Sequence, residues 1–504
     1  MRSKTVCWAG SFFVRFFDLR DYFYPMKETV LHQVFSNTDF THLGKKIVEE
    51  LGNHVYNTTN AKNQKTIQWN TPEKELEFWK DFLEEGNPQN FIDEILKRTT
   101  HTHHPKYMGH QVAATAPITA LTGMVSALLN NGMAVYEMGM SPSAIEKVVI
   151  DSICKKIGFQ KDFGGLLTSG GTLANLTALV SARKAKASHD VWNDGHQKPL
   201  GILVCEEAHY CVDRAAKIMG LGEKGIIKVP AKDNFSMDTS KLKACYENAI
   251  QEGIEVFAII GSAPSTATGA YDDLNAIARF AKEKELWFHV DGAHGGAAIY
   301  SNTYKHILEG IQYADSVVID GHKMMLMPTI TTALLFKDKK HMQNTFSQKA
   351  DYLLEDIPED DWINSGKKTF ECTKTMMCLH WFALLKLYGE ELFNEYVTRQ
   401  YDLAKDFETI IRKDPQFELA TSPQSNILCF RIIIEGKSDN DLNKLNAAIR
   451  KKVLEDGEFY IVQTKLKGIH YLRTTLMNPF TTLEDLSNLL NHILVLSNEE
   501  QIPG

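Results

Sequence analysis

His289-Val290-Asp291-Gly292-Ala293-His294-Gly295-Gly296 is the most informative stretch of this chain, because it presents a carboxylate at the end of an apolar segment. Residues 286–290 are apolar apart from one histidine, which is typical of a buried β-strand that ends at Asp291. A second mostly apolar run, residues 316–319, ends at Asp320 and leads to Lys323. Functional groups of open α/β sheets lie at the carboxyl ends of strands, and both Asp291 and Lys323 fall there.

A glycine-rich segment upstream indicates an anion site. Residues 166–172 read Leu-Leu-Thr-Ser-Gly-Gly-Thr and precede a helical run with leucines at 173, 176 and 179. The N-terminus of a helix offers free backbone N–H groups and positive dipole character to an anion, and glycine lets the backbone approach it closely. Taken singly, a Gly-Gly turn, an aspartate after a strand and a lysine are ordinary features. Their order along one chain indicates a phosphate-bearing cofactor.

Pyridoxal phosphate has the chemistry that these three features match. It needs a lysine amine for a Schiff base and a carboxylate beside its pyridine nitrogen, because a protonated ring draws electrons from the Cα of the substrate. Lys323 and Asp291 are the candidates for these two roles.

Composition excludes several other classes of protein. The chain has 504 residues, of which 43% are hydrophobic and 23% charged, and its net charge is -8. This balance is typical of a globular protein, and an acidic excess argues against a nucleic-acid partner. No apolar stretch is long enough to span a membrane. The expected partner is a small molecule.

Cysteine and histidine usage indicates a cytoplasmic protein without a metal. The 8 cysteines include no C-x-x-C pair and are too sparse for a disulfide scaffold, which fits a reducing compartment. The cluster His101, His103 and His104 has no acidic or cysteine partner at metal-ligand spacing, so no metal site is expected.

The chain divides into three segments by pattern. Residues 1–115 read as an N-terminal extension followed by helices and loops, residues 116–375 alternate strands with helices, and residues 376–504 form a smaller α+β domain. The alternation predicts a mostly parallel sheet covered on both faces. The aromatic-rich first 25 residues are too interrupted by charge for a secretion signal; a surface-packing extension and a natural start at Met26 both remain open.

One helix start is signalled clearly. Ser141 and Pro142, with Glu146 further on, predict a helix that begins with a hydroxyl cap. The spacing predicts that its buried stripe contains Ile145, Val148, Val149 and Ile153.

Taken in order over residues 100–480, these motifs resemble the group II pyridoxal-phosphate amino acid decarboxylases, which include glutamate, aromatic amino acid and diaminobutyrate enzymes. The resemblance implies an α/β fold of the aspartate-aminotransferase-like type (fold type I), with a mostly parallel seven-stranded sheet and a smaller C-terminal α+β domain. It also implies a homodimer with active sites at the interface, in which residues 1–115 contribute a dimerisation segment.

The resemblance assigns roles around the Schiff base. The run His322-Lys323-Met324-Met325 is similar to the family's Schiff-base motif, which makes Lys323 the Schiff-base lysine and His322 a phosphate neighbour. Asp291 and Ala293 match the pyridine partner and the small residue packed under the ring.

Four further cofactor contacts follow from the same resemblance. Gly171 and Thr172 match phosphate-binding positions, and His209 matches the histidine that stacks on the ring. Without the resemblance, a hydrogen-bonded turn histidine would be the alternative for His209. Thr266 resembles a threonine near the ring oxygen, although its surroundings depart from the commoner pattern.

Tyr352 bears on the type of reaction. It lies 29 positions after Lys323 (352 minus 323), in an acidic loop that resembles the family's mobile catalytic loop. Decarboxylation leaves a carbanion at Cα that must be protonated to release an amine, and the family uses this tyrosine for that proton. Relatives with phenylalanine there tend toward aldehyde formation. The alternative is an ordinary aromatic residue that packs a loop.

Two residues bear on the substrate. His110 stands where glutamate-type enzymes carry glutamine and aromatic-type enzymes carry tyrosine, so it matches neither, and its surroundings look closer to diaminobutyrate-type relatives. Arg473 matches an arginine that contacts a substrate carboxylate in glutamate-type enzymes, and its guanidinium suits bidentate binding. A structural salt bridge is the alternative for Arg473.

The sequence therefore predicts pyridoxal-phosphate-dependent decarboxylation of an L-amino acid to an amine and carbon dioxide. The expected substrate is polar and aliphatic, either diaminobutyrate-like or glutamate-like. The catalytic candidates are Lys323, Tyr352, His209 and Asp291. The alternatives are a carbon–carbon lyase or aminotransferase reaction on the same scaffold, decarboxylation of an aromatic amino acid, and a protein that binds the cofactor without catalysis.

Overall fold

A computed structural model describes residues 29–62, 65–346 and 362–501. The first 25 residues and Tyr352, for which the sequence makes predictions, lie outside these described residues. The chain divides into two units, residues 1–56 and residues 57–504. In the first unit, the described part is helical.

Seven strands of the second unit form a large sheet, in the order β1-β7-β6-β5-β4-β2-β3. They are β1 (Gly164–Thr168), β2 (Leu200–Cys205), β3 (Ile226–Val229), β4 (Glu255–Ser262), β5 (Trp287–Asp291), β6 (Ser316–Asp320) and β7 (Thr332–Phe336). Neighbouring strands are parallel except at β7, which is antiparallel to both β1 and β6. The predicted seven-stranded, mostly parallel sheet is confirmed.

The central strands are buried on both faces, which explains their nearly continuous apolar sequences. Every residue of β2, β5, β6 and β7 is buried. Successive residues of one strand enter different hydrophobic clusters: Val317 and Ile319 pack on one side of the sheet, and Val318 packs on the other. The apolar faces of helices complete both clusters.

The described residues of both units contain α-helices. They are α1 (Val30–Val34), α2 (Asn37–Thr59), α3 (Pro72–Glu85), α4 (Phe91–Arg98), α5 (Pro117–Leu129), α6 (Tyr136–Gly139), α7 (Ser141–Ile157), α8 (Gly171–Lys186), α9 (Val191–Asp194), α10 (Tyr210–Ile218), α11 (Leu242–Gln251), α12 (Leu274–Glu283), α13 (Lys339–Asn344), α14 (Cys378–Tyr388), α15 (Glu391–Lys413), α16 (Asp439–Asp456) and α17 (Leu483–Gln501). In the parts of the chain with assigned structure, no helix combines the length and apolarity that crossing a membrane requires.

Four antiparallel strands form a smaller sheet near the C-terminus, in the order β10-β11-β9-β8. They are β8 (Phe417–Leu419), β9 (Ile427–Ile432), β10 (Val462–Leu466) and β11 (Ile469–Thr475). Apolar residues of α15, α16 and α17 pack on one face of this sheet. The smaller C-terminal α+β domain is therefore confirmed, while the boundaries at residues 115 and 375 stay predictions.

Helix α7 corrects two details of the sequence interpretation. It begins at Ser141, but its N-cap is Met140, and Ser141 does not cap it. Val149 and Ile153 are buried as expected, whereas Val148 is 58% exposed. Glu146 is buried instead, because its carboxylate forms an ion pair inside the protein.

This buried ion pair joins Glu146 to Lys374 beside Leu167 of β1. Glu146 Oε1 accepts a hydrogen bond from the backbone N–H of Leu167 at 3.0 Å and pairs with the ammonium of Lys374. Lys374 Nζ also donates to the backbone carbonyl of Leu167 at 2.7 Å. These bonds pair two charges that would otherwise be costly to bury, and they tie α7 to the strand that leads to the glycine turn.

Candidate active site

The structure brings Asp291 and Lys323 to one edge of the large sheet. Asp291 ends β5 and Asp320 ends the adjacent strand β6. Lys323 follows Asp320 at i+3, and its Nζ lies 3.0 Å from Asp320 Oδ2. The side chain of Lys323 is 19% exposed and that of Asp320 only 1%. The amine therefore lies in a partly enclosed, negatively charged place.

Asp320 is a site residue that the sequence interpretation missed as a functional group. Burial lowers the pKa of Lys323, but the carboxylates of Asp320 and Asp291 outweigh burial and hold that pKa above its ordinary value. Asp320 Oδ1 also accepts a hydrogen bond from Thr332 Oγ1 at 2.5 Å. The i, i+3 spacing of Asp320 and Lys323 in the sequence could have indicated that their side chains pair.

His322 lies beside the same carboxylate. Its Nε2 is 3.6 Å from Asp320 Oδ2, and its Nδ1 is 3.0 Å from the backbone carbonyl of Thr331. The histidine is thus held at the sheet edge next to Lys323, and its contact with a phosphate stays a prediction.

The glycine turn fits directly against this edge. Gly170 has a φ of 92°, in the left-handed region that favours glycine, and Gly171 begins α8. A Cβ on Gly171 would lie 3.1 Å from both carboxylate oxygens of Asp320 and 3.5 Å from the Cβ of Ala293. Thr172 is exposed in the first turn of α8. The positive end of a helix therefore lies beside Ala293 and Asp320 with little room for a side chain.

Asp291 connects this edge to the loop that contains Thr266. Its Oδ1 accepts a hydrogen bond from the backbone N–H of Ala293 at 3.2 Å, and its backbone carbonyl accepts one from Ala263 at 2.8 Å. Thr266 is half-buried in the loop that follows Ala263. The carboxylate of Asp291 is thus fixed on one side, with the residue 8% exposed.

His209 is held at the N-terminus of α10, as its N-cap. Its Nδ1 accepts a hydrogen bond from the backbone N–H of Cys211 at 3.3 Å. Burial lowers the pKa of His209, and the attraction of Asp291 offsets only part of this effect. A half-buried, neutral imidazole of this kind can stack on an aromatic ring.

A buried polar network, also missed from the sequence, ties the glycine turn to β5. Asn175 Nδ2 donates to the backbone carbonyl of Gly171 at 2.9 Å, and Asn175 Oδ1 lies 2.8 Å from His289 Nε2. On its other side, His289 Nδ1 lies 2.8 Å from Ser316 Oγ, which also accepts from Trp287 Nε1 at 2.8 Å. Satisfied networks of this kind favour one arrangement of the core.

This network predicts a specific pH dependence of stability. Burial lowers the pKa of His289 from 6.5 to about 4. Between these values the unfolded chain binds a proton that the native chain does not, so native stability falls as the pH falls. We expect about 2 kcal/mol of the free energy of unfolding to be lost at this site between pH 7 and pH 5.

The measurement compares urea unfolding of the wild type and His289→Gln at pH 7 and pH 5. The variant is expected to be less stable at pH 7, since it loses hydrogen bonds, but to lose less stability on acidification. The exposed His306 provides the control, and His306→Gln should follow the wild type. Equal pH dependence in all three proteins would contradict the role of His289.

The small sheet contributes Arg473, one of the two remaining predicted site residues. His294 Nε2 lies 2.7 Å from Asn426 Oδ1, and Asn426 Nδ2 lies 3.2 Å from the sulfur of Met324. These contacts join the segment after Asp291 and the segment after Lys323 to the start of β9. The small sheet therefore borders the edge that carries Asp291 and Lys323.

Arg473 lies in β11 with an unsatisfied guanidinium. It is paired in register with Cys429, whose sulfur donates to the backbone carbonyl of Ala267 at 3.2 Å, so this sheet face is directed to the loop of Thr266. Arg473 is 7% exposed, and its Nε and Nη2 have no hydrogen-bond partner among the described residues. Burial lowers its pKa.

His110 ends the loop that follows Tyr107, and its ring centroid lies 6.0 Å from that of Tyr460. Burial, followed by the positive charge of Arg473, lowers the pKa of His110. The structure thus gathers Lys323, His322 and Asp291 at the sheet edge, and the charge of Arg473 acts on His110.

Comparison with known proteins identifies the class. Residues 75–433 match the family described as the pyridoxal-dependent decarboxylase conserved domain. The chain belongs to this family, and it is a pyridoxal-phosphate-dependent amino acid decarboxylase, that is, a carboxy-lyase. The site fits the cofactor, since it combines a partly enclosed amine, a carboxylate at the neighbouring strand end and a helix N-terminus at a glycine with little room for a side chain.

Individual relatives are named for different amino acid substrates. The chain is 26% identical over 483 residues to an aromatic-L-amino-acid decarboxylase from Bacillus atrophaeus, covering 93% of this chain and 97% of the relative. It is 28% identical over 470 residues to an aspartate 1-decarboxylase from Aliivibrio fischeri, covering 82% and 85%.

A solved structure supports the same fold. It is the glutamate decarboxylase domain of a diaminobutyrate-pyruvate transaminase and L-2,4-diaminobutyrate decarboxylase from Vibrio parahaemolyticus, with a TM-score of 0.79 and 26% identity. The match covers 92% of this chain and 97% of that one.

Proposed function

We propose that this enzyme decarboxylates a small acidic L-amino acid of the aspartate or glutamate kind. The buried guanidinium of Arg473 supports this, because two of its nitrogens have no partner among the described residues. A buried charge is costly without an anion, and a substrate carboxylate is a well-matched bidentate partner. A diaminobutyrate side chain would instead bring a second cation to Arg473. The relative named for aspartate is consistent with the acidic substrate.

Arg473 is proposed to hold the side-chain carboxylate of the substrate rather than the carboxylate that leaves. The leaving group loses its negative charge as it becomes carbon dioxide. A guanidinium paired with it would stabilise the ground state more than the transition state, which would slow the reaction. A neutral residue such as His209 is better suited to the vicinity of the leaving carboxylate.

The remaining residues are proposed to position the reactants and move protons. Bound pyridoxal phosphate supplies the electron withdrawal that allows carbon dioxide to leave Cα. Lys323 would hold the cofactor through its amine, and Asp291 would keep a proton on the pyridine nitrogen. Gly171, Thr172 and His322 would bind the phosphate. Thr266 would contact the ring oxygen, Ala293 would pack under the ring, and His209 would stack above it. Tyr352, outside the described residues, would deliver a proton to Cα.

Replacing Arg473 tests the proposed substrate. We expect the wild type to release carbon dioxide from aspartate or glutamate faster than from 2,4-diaminobutyrate or an aromatic amino acid. Arg473→Met should raise KM for the acidic substrate by about ten-fold to a hundred-fold, since it removes charge-assisted hydrogen bonds. Arg473→Lys should give an intermediate KM, because an ammonium keeps the charge but not the bidentate geometry.

Arg412 provides a matched control, because it is an exposed arginine that pairs with Glu408. Arg412→Met should leave KM unchanged. Faster turnover of diaminobutyrate or of an aromatic amino acid by the wild type would contradict the acidic substrate.

A homodimer in the cytoplasm is also proposed. Helix α5 exposes five apolar side chains, which are Leu121, Met124, Val125, Leu128 and Leu129. Such a patch is typical of a protein–protein interface, and a second copy of the chain is its proposed partner. The 7 cysteines of the described residues are all free, which fits a reducing compartment. Sedimentation of the holoenzyme as a monomer would contradict the dimer.

A further inference from the structure

We propose that a groove at the edge of the large sheet opposite to Lys323 binds a nucleoside polyphosphate. The groove has a volume of about 730 Å³, and we call it the cationic groove. Its charged lining residues are Lys186, Arg279, Lys282, Glu285, Asp315 and Lys337. This inference goes beyond the proposed function, because it concerns a separate site and does not depend on the substrate of the enzyme.

The cationic groove lies where the central strands begin, whereas the candidate active site lies where they end. Phe288 lines the groove at the start of β5, which ends at Asp291. Asp315 directly precedes β6, which ends at Asp320. Since β7 is antiparallel to β6, Lys337 after β7 lies beside Asp315, and its backbone N–H donates to the carbonyl of Asp315 at 3.0 Å. A ligand of the groove and the cofactor can therefore be bound at the same time.

Helix α12 forms one wall of the cationic groove. The polar residues of this helix that line the groove are four and three positions apart and so share one helix face: Asn275, Arg279 and Lys282. A Cβ on Gly310 would lie 2.5 Å from the backbone nitrogen of Asn275, so the segment that leads to Tyr313 packs against the start of the helix. Tyr313 lines the same groove and is 55% exposed, which leaves its ring accessible to a ligand.

The cationic groove contains more positive than negative charge. Its four cations face two carboxylates, those of Asp315 and Glu285. Among the described residues, none of these four cations forms an ion pair, whereas Lys217 elsewhere pairs with Glu223 at 2.7 Å. The chain as a whole has a net charge of -8, so the excess of cations is a local property of the groove. Such an excess attracts an anion with more than one negative charge.

The half-buried carboxylate of Asp315 is already used by the fold. Its Oδ2 accepts a hydrogen bond from the backbone N–H of Phe288 at 2.8 Å. Burial raises the pKa of Asp315, and this hydrogen bond and the positive charges of Lys186 and Lys337 offset only part of that effect. Asp315 thus bonds to the backbone, and both lysines keep their charge available to a ligand.

These features match the parts of a nucleoside polyphosphate. Phosphate oxygens accept charge-assisted hydrogen bonds from lysine and arginine, and the guanidinium of Arg279 can bind a phosphate through two N–H groups. A planar base can stack on the exposed ring of Tyr313. The volume of the groove falls within the range of about 300–1,000 Å³ that is typical of small-molecule sites. A ligand with a single charge would use only part of the four cations.

Calorimetric titration of the holoenzyme, with saturating pyridoxal phosphate and without magnesium, tests this inference. We expect ATP to bind at one site per chain, tripolyphosphate to bind about ten-fold more weakly, and adenosine to give no detectable heat. Binding of ATP should weaken as the salt concentration rises, because salt screens exposed charges. The absorbance of bound pyridoxal phosphate should stay unchanged, since the two sites lie at opposite edges of the sheet.

Three substitutions separate the contribution of the cations from that of the ring. Lys337→Gln and Arg279→Gln should each weaken the binding of both ATP and tripolyphosphate by about ten-fold. Tyr313→Ala should weaken the binding of ATP but leave that of tripolyphosphate unchanged. Lys217 lies outside the groove, and Lys217→Gln should change neither affinity. Thermal unfolding checks that each variant is folded.

The results that would overturn the inference are specific. Equal affinity for ATP in the wild type, Lys337→Gln and Arg279→Gln would show that the cationic groove is not the binding site. ATP that binds to the cofactor-free protein but not to the holoenzyme would occupy the cofactor site instead. Equal affinity for ATP and tripolyphosphate would exclude a role for the nucleoside. Each of these results would leave the proposed acidic substrate untouched.

Discussion

Lys323→Ala is expected to lower kcat by at least about a thousand-fold, the largest effect that we expect from any single substitution in this chain. The amine lies in a partly enclosed place 3.0 Å from Asp320, and no other lysine is predicted to reach the cofactor. Removing it takes away the covalent attachment on which the reaction depends, whereas the phosphate contacts at the glycine turn are kept. The variant should therefore still bind pyridoxal phosphate, but weakly.

Two measurements check this expectation. Release of carbon dioxide should fall to background, and the visible absorbance band of covalently held cofactor should disappear at the same time. Lys305 is exposed, and Lys305→Ala should change neither signal. If Lys323→Ala kept the band and turned over substrate, another amine would have to hold the cofactor and the site assignment would be wrong.

Asp291→Asn is expected to lower kcat by about a hundred-fold to a few thousand-fold. An asparagine has the same shape and can still accept the hydrogen bond from Ala293, but it carries no charge to pair with a protonated pyridine nitrogen. Breaking a buried charge pair costs about 3–5 kcal/mol, which sets this range of rates. The size of the side chain is unchanged, so the fold should be kept.

The kinetic constants should be measured with saturating cofactor, so that weaker binding is separated from slower chemistry. Asp233 is fully exposed at the surface, and Asp233→Asn provides the control for loss of a carboxylate. A kcat within about three-fold of the wild type in Asp291→Asn would show that this carboxylate does not control the reaction.

Local sequence predicted the edge of the sheet that carries the site. Strands that are buried on both faces have nearly continuous apolar sequences. The ends of β5 and β6 could therefore be recognised without a structure, and with them the positions of Asp291 and of the lysine after Asp320. The glycine turn could be recognised for a similar reason, because a strand, two glycines and a helix follow one another directly.

Contacts between distant segments could not be predicted in this way. The bond of Asn175 to His289 joins residues 114 positions apart, and the pair of Glu146 and Lys374 joins residues 228 positions apart. Neither partner marks the other in the sequence. The exposure of Val148 follows from the inward turn of Glu146, which depends on Lys374.

Strand β1 cannot pair with its neighbour in the large sheet until much later in the synthesis of the chain. Strand β1 is an edge strand whose neighbour in the sheet is β7. Its last residue, Thr168, precedes the first residue of β7, Thr332, by 164 positions (332 minus 168). At about 5–20 residues per second, a ribosome needs about 8–30 seconds to make that interval. During this time the strand that leads to the glycine turn has no partner in the large sheet, so we expect the nascent chain to be prone to aggregation at this strand.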